Sequence, residues 1–234
     1  MHIVMSDYVN RCTIFHGSEF VIEHPQYGFG KVHNDYGQGF YCTFERDMAM
    51  EWAVGEDHDG YANRYEIDLV DLNILDLSKP PFNTLHWLSV LVSNRIFDMD
   101  GDLMQAAFGY LRENFPVDMS EVDVMVGYRA DDNYFSFARG FLSGMLSYQQ
   151  LQRAIRLGGL GMQFVLKSER AFERIKFTGN EKAFRVEHLR TRQEREHRAR
   201  REYADLRGGG LDPASLYMLD VIRQGMRGND ARLS

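Results

Sequence analysis

Cysteine is almost missing from this 234-residue chain: only Cys12 and Cys42 occur. Two isolated cysteines read as reduced residues of a cytoplasmic protein, not as a disulfide frame or a metal site. No apolar run approaches about 18 residues, which excludes a membrane-spanning helix from the expectations. The opening "MHIVMSDYVNR" lacks the basic start and long apolar stretch of a secretion signal. Positive charge is not in excess either. A net charge of −7 and a pI near 5.6 argue against a generally basic nucleic-acid binder. Several site motifs are absent. There is no Gly-rich phosphate loop with Lys-Ser or Lys-Thr, no G-x-G-x-x-G between strand and helix, no H-E-x-x-H, no paired C-x-x-C and no G-x-S-x-G. The commonest dinucleotide folds and metal hydrolases therefore leave the front rank. The histidines at 2, 24, 33, 58, 86, 188 and 197 show no ligand spacing, so no metal is expected.

What is present suffices for a core: 44% hydrophobic and 13% aromatic residues. "CTIFHGS" alternates up to a Gly-Ser break and reads as a strand ending near His16. "FVIEHPQYGFGKVHNDYGQG" is a long glycine-containing loop, of the kind that is usually functional. "GFYCTF", "RYEIDLV", "LNILDL", "VDVMVGYRADD", "GMQFVLKS" and "KFTGNEKAF" read as strands. Helical spacing appears in "ERDMAMEWAV", "TLHWLSVLVSNRIF" and "LMQAAFGYLRENF". It appears again in "FSFARGFLSGMLSYQQLQRAIRLG", which breaks at Gly144, and in "SERAFERI", with Ser168 as its N-cap. From Arg190 the composition becomes densely and mixedly charged, predicting a solvated helix. After "GGG" at 208–210, Asp212 and Pro213 predict the start of a small amphipathic helix with Leu216, Leu219, Val221 and Ile222 on its apolar face. Strands and helices mix without regular βαβ alternation, which predicts an α+β fold. The expected division is a main domain over 1–187 and a charged helical extension over 188–234.

Three short segments carry chemistry: "FHGS", "GQGFYCT" and "GMQFVL". Each puts a polar or aromatic residue at a strand edge. Histidine and glutamine hydrogen-bond ribose hydroxyls, a glycine backbone pairs with a carboxamide, and a tyrosine ring stacks on a flat ring. Alone, each has a plainer role: a strand-end histidine, a core aromatic, a surface glutamine. Phe40 and Tyr41, being adjacent in a strand, must face opposite sides. The expectation is Phe40 in the core and Tyr41 at a cleft.

In order along about residues 13–185, "FHGS", "NDYGQGFYCT", "RYEIDL", "VDVMVGYRADD" and "GMQFVLKSERAFERIKF" resemble a bacterial family of uncharacterised proteins. That family carries a D-F-G-K-G-F-Y signature and is grouped with the ADP-ribosyltransferase-like fold, a split β-sheet core with surrounding helices. The resemblance implies an NAD pocket. In it His16 holds the nicotinamide ribose, Gly17 meets the carboxamide, Tyr41 stacks on nicotinamide, and Gln163 stands where the superfamily has an acidic residue. Ser18, Gly39 and Thr43 complete the implied NAD-binding set, and His16, Tyr41 and Gln163 the catalytic set. It further implies transfer of ADP-ribose to a protein or nucleic acid, with loss of nicotinamide. The implied setting is a bacterial or phage toxin or conflict system, with an antitoxin or self-association through 188–234. An amide at 163 keeps a hydrogen bond but not the negative charge that stabilises an oxocarbenium-like ribose. Asp131 and Asp132 are the first candidates to supply that charge or to contact the target, ahead of Glu66 and Glu169. The alternative is a weak or inactive NAD-binding protein on the same fold. Arg11, Arg64 and Arg129 are the cations considered for a pyrophosphate, with surface pairing as their plainer role.

Overall fold

The computed structural model describes residues 10–96, 101–130, 132–159, 161–208, 210 and 212–233. The chain runs β1 (Arg11–Ser18), β2 (Phe40–Thr43), α1 (Arg46–Ala53), β3 (Gly60–Asp68), β4 (Ile74–Asp76), α2 (Thr84–Asn94), α3 (Asp102–Asn114) and β5 (Val124–Tyr128). It continues α4 (Asp132–Leu142), α5 (Tyr148–Ala154), β6 (Met162–Leu166), α6 (Glu169–Glu173), β7 (Ile175–Ala183), α7 (Arg185–Gly208) and α8 (Met218–Arg223). The strands form a seven-stranded open sheet in the order β4-β5-β6-β2-β1-β3-β7. β4 and β5 run parallel; the other neighbours are antiparallel. This is an α+β arrangement.

Alternation sorts the side chains between two faces. Tyr41, Val165 and Met125 stand in one row and join the large core built with α2, α3, α4, α5 and α8. Phe40, Cys42, Phe164, Val124 and Leu166 point the other way, into a smaller core with Ile14, Tyr65 and Ala171. On the first face, α1 covers β1 and β3 instead: Ala49, Met50 and Ala53 pack with Ala62, Phe15 and Ala183. Small residues let it lie against the backbone. A Cβ on Gly17 would come within 2.1 Å of the Ala49 carbonyl oxygen and 2.7 Å of Trp52 Cβ.

One junction in the sheet is thin. β1 pairs with β3 along its whole length, from Arg11↔Asp68 to Ser18↔Tyr61, but with β2 only at Phe15↔Thr43. Beyond that rung the two strands diverge. The sheet is thus two halves, β7-β3-β1 and β2-β6-β5-β4, joined at one pair.

Local chemistry explains most boundaries. Asn83 caps α2 by accepting from Leu85 N, and His86 Nδ1 accepts from Asn83 N at 3.1 Å. Ser168 caps α6 by accepting from Ala171 N. The helix expected from Asp212 starts later, at Met218. Asp212 instead satisfies its neighbours in a turn, accepting from Ala214 N at 3.0 Å and Ser215 Oγ at 2.8 Å. The segment after residue 188 is not all solvated. In α7, Arg195 and Ala199 are buried, and Arg195 meets Glu51 of α1 at 2.7 Å. Met218, Val221, Met226 and Leu233 belong to the large core. Their burial is worth about 1.5–3 kcal/mol for each large side chain. Among the described residues no helix is long and apolar enough to cross a membrane.

Candidate functional site

The turn before β2 is built from the inside outward. Asp35 is buried, accepting from Arg95 Nε and from the Ala130 amide, both at 2.9 Å. Burial pushes its carboxyl up, and Arg95 opposes that push. The Tyr36 hydroxyl donates to Tyr128 O at 2.5 Å, as does the Trp87 indole at 3.1 Å. A side chain at 127 would collide with that phenol, since a Cβ there would sit 2.3 Å from Tyr36 Oη. Gly37 takes a left-handed φ of 72°. Lys167 Nζ donates to Tyr36 O and Gln38 O at 2.5 and 2.6 Å, and burial lowers its pKa. "NDYG" is thus a clamp that fixes where Tyr41 stands.

Tyr41 is held by its hydroxyl, which donates to Gly37 O at 2.6 Å and accepts from Tyr36 N at 3.0 Å. Burial raises its pKa, so the phenol is neutral at physiological pH. With the hydroxyl committed to the turn, the half-buried ring packs against the large core. His16 lies across the divergence of β1 and β2. Its Nδ1 donates to Tyr41 O at 2.7 Å, because a carbonyl only accepts. Its ring stacks on Phe40 at 4.3 Å, on the opposite sheet face from Tyr41. Burial lowers the His16 pKa below 6.5, outweighing the Tyr41 bond. The neutral ring then keeps Nε2 as an acceptor.

These shifts fix a pH dependence. His86 is also lowered by burial. With folded pKa values below the unfolded one, the unfolded chain binds more protons in the window between them. The stabilisation is complete above about pH 6.5 and is lost as pH falls through the folded values. The urea midpoint should therefore drop between pH 7 and 5. His16→Gln should make that drop shallower, and an unchanged slope would contradict the half-buried neutral histidine.

The third expected residue completes a row. Arg64, Phe15, Thr43, Gln163 and Gly127 are cross-strand partners in sequence across β3, β1, β2, β6 and β5. Gln163 is only 6% exposed, and its Oε1 is buried with no hydrogen-bond partner among the described residues. The Trp52 indole nitrogen is a second such atom. An unpaired buried polar group costs about 1–3 kcal/mol, so each such atom calls for an explanation. Arg129, two residues after Gly127, lies over the Trp52 ring at 4.5 Å and donates to Met48 Sδ at 3.9 Å. Its charge is therefore beside the row. Arg11 pairs with Asp68, and Arg64 with Thr178.

The remaining expected residues take structural positions. Ser18 Oγ accepts from Phe20 N at 3.2 Å and shapes the start of the long loop. Thr43 is buried and its Oγ1 accepts from Glu45 N. Gly39 gives room to β6: a Cβ there would come within 2.7 Å of Leu166 O. Asp132 opens α4, and Asp131 lies outside the described residues. Glu66 is exposed on β3, and Glu169 begins α6. The structure places Gly17, Tyr41, Thr43 and Gln163 on one sheet face near the one-pair junction, with Gly17 under α1, and gathers the His16 ring with Phe40 on the other face. The sequence expectations missed Asp35, Tyr36 and Lys167, which fix the turn that holds Tyr41. A hollow of about 480 Å³ lies elsewhere, between α1, the end of β7 and α7, where Arg46, Glu51, Lys182 and His188 line it.

Residues 12–177 match the model of a family described as "Protein of unknown function (DUF3990)". The chain belongs to the DUF3990 family. The DUF3990 segment runs from β1 into β7 and contains all the gathered residues; it ends before α7. No curated protein and no solved structure matches the chain.

Proposed function

We propose that this DUF3990 protein is an NAD-dependent mono-ADP-ribosyltransferase-like protein, with a split-sheet core of that fold. It would transfer ADP-ribose to a protein or nucleic acid and release nicotinamide. NAD is the substrate, and no metal takes part. The observation that carries this is the unpaired Gln163 Oε1, buried in the row that crosses the one-pair junction of β1 and β2. Two groups on one sheet face fit a nicotinamide riboside there: the Tyr41 ring suits nicotinamide, and Gln163 Oε1 accepts from a ribose hydroxyl. His16 Nε2 is the acceptor that the other face brings to the edge where β1 and β2 part. The proposed setting is a toxin or conflict-system effector in the cytoplasm. The segment from 188 would meet an antitoxin or a second copy, and Asp131 and Asp132 are the proposed charge or target contacts.

One observation favours a second reading. Gln163 brings no charge to the developing oxocarbenium ion, which suits an NAD-binding protein with weak or no transfer. Purified protein, labelled NAD and a cell extract separate the two. Label on a macromolecule, lost in His16→Ala and Tyr41→Ala, is the expected result. Binding without nicotinamide release would select the second reading, and no NAD binding would end both.

A further inference from the structure

Glu45 ends the connection from β2 to α1, at the N-cap position of the helix. Glutamate is a poor cap, and its carboxylate makes no cap hydrogen bond. Among the described residues its carboxylate enters no ion pair or hydrogen bond; only the backbone is engaged, the amide donating to Thr43 Oγ1 at 3.2 Å and the carbonyl accepting from Ala49 N at 3.1 Å. The side chain extends across to the start of β6. A Cβ built on Gly161 would lie 2.8 Å from Glu45 Oε1 and 3.4 Å from its carboxyl carbon. Gly161 has a left-handed φ of 66°. No side chain at 161 separates the carboxylate from the β6 backbone.

The register gives this contact its meaning. Thr43 and Gln163 are a cross-strand pair. Glu45 is two residues beyond Thr43, and Gly161 two residues before Gln163, so both lie one step outward from the same rung. The rung carries the buried, unpaired amide oxygen; the step outside it carries an exposed, unpaired carboxylate. A ligand group held by Gln163 would therefore lie one same-face step, about 7 Å, from the Glu45–Gly161 position.

We propose that Glu45 is the carboxylate of this site on the acceptor side. This rests on the NAD reading above. In the proposed step the C1′–N1 bond of the nicotinamide riboside breaks. Its electron pair leaves with nicotinamide, which becomes neutral. The acceptor's heteroatom forms the new bond to C1′, and the acceptor proton passes to the Glu45 carboxylate and then to water. NAD and the protic acceptor give the ADP-ribosylated acceptor, nicotinamide and one proton. Gln163 holds the ribose, and Glu45 takes the proton that an amide cannot. The division explains how a glutamine at 163 is compatible with transfer.

The test uses the full chain, with Glu45→Gln and Glu45→Asp beside the parent. Three readouts are NAD binding by titration calorimetry, nicotinamide release, and label transfer into extract. Glu45→Gln should bind NAD within twofold of the parent and lose transfer by about 10²–10⁴-fold, the range of general-base catalysis. Glu45→Asp should recover part of that loss. Thermal midpoints of both should match the parent, since the carboxylate supports no cap. Transfer by Glu45→Gln within threefold of the parent overturns the assignment. A parent that binds NAD without releasing nicotinamide also overturns it, yet leaves the binding site standing. A parent that does not bind NAD overturns both.

Discussion

Replacing Arg195 by methionine should destabilise the protein by about 3–5 kcal/mol. Arg195 meets Glu51 with two nitrogens, Nε at 2.9 Å and Nη2 at 2.7 Å, both on Oε2. The two side chains are only 8% and 7% exposed. Removing the guanidinium strands a carboxylate between α1 and α7. Arg192 still donates to Val54 O at 3.1 Å, which ties the helices but cannot neutralise Glu51. Replacing both partners, Glu51→Leu with Arg195→Met, removes the stranded charge and should return stability to near the parent. Urea unfolding of the two single variants and the double variant closes the cycle. A single-variant loss below 1 kcal/mol would mean that water reaches Glu51 once the arginine is gone. The effect should also reach the site, because α1 carries Trp52 and begins at Glu45.

The second large effect separates stability from activity. Gln163→Met keeps volume and length but removes the buried amide. If Oε1 is held without a partner for a ligand, the variant should be more stable by about 1 kcal/mol, since the desolvation cost disappears. NAD binding should weaken at the same time, and transfer should fall by about 10²–10³-fold, the loss typical of one preorganised group at a reacting centre. A structural glutamine predicts the reverse sign in stability. Thermal melts with and without NAD read both quantities. A variant that is less stable yet still shifted by NAD would refute the ligand role of Gln163.

Much of the architecture was legible because its causes are local. Alternation marked β1, β2, β3 and β6, and Ser168 marked α6, since caps and pleats act within a few residues. Asp212 misled for the same reason. Its Asx turn is complete in itself and needs no helix after it. The long-range features were hidden. Nothing within "NDYGQGFY" says that Asp35 meets Arg95, 60 residues later, or that Tyr36 fills the space left by Gly127. The stretch looked like a ligand loop, and much of it is the internal anchor of Tyr41. Glu45 was illegible because its significance depends on an absent side chain at Gly161. The charged composition of α7 also hid Arg195, whose partner is 144 residues away.

The thin junction at Phe15↔Thr43 bears on where this protein can be cut. α7 rests on α1 above one half of the sheet and on α4 and α5 beside the other. It works as a splint across a fracture line. The segment shared with the DUF3990 family stops at residue 177, part-way along β7. A fragment trimmed to that match would keep every gathered site residue and lose the splint. Leu233 receives the Tyr148 hydroxyl on its carbonyl at 2.7 Å, so even the last described turn is sewn into the body. A fragment ending at 177 is therefore expected to unfold at lower urea than the full chain, because the contacts that bridge the two half-sheets from outside belong to the charged tail.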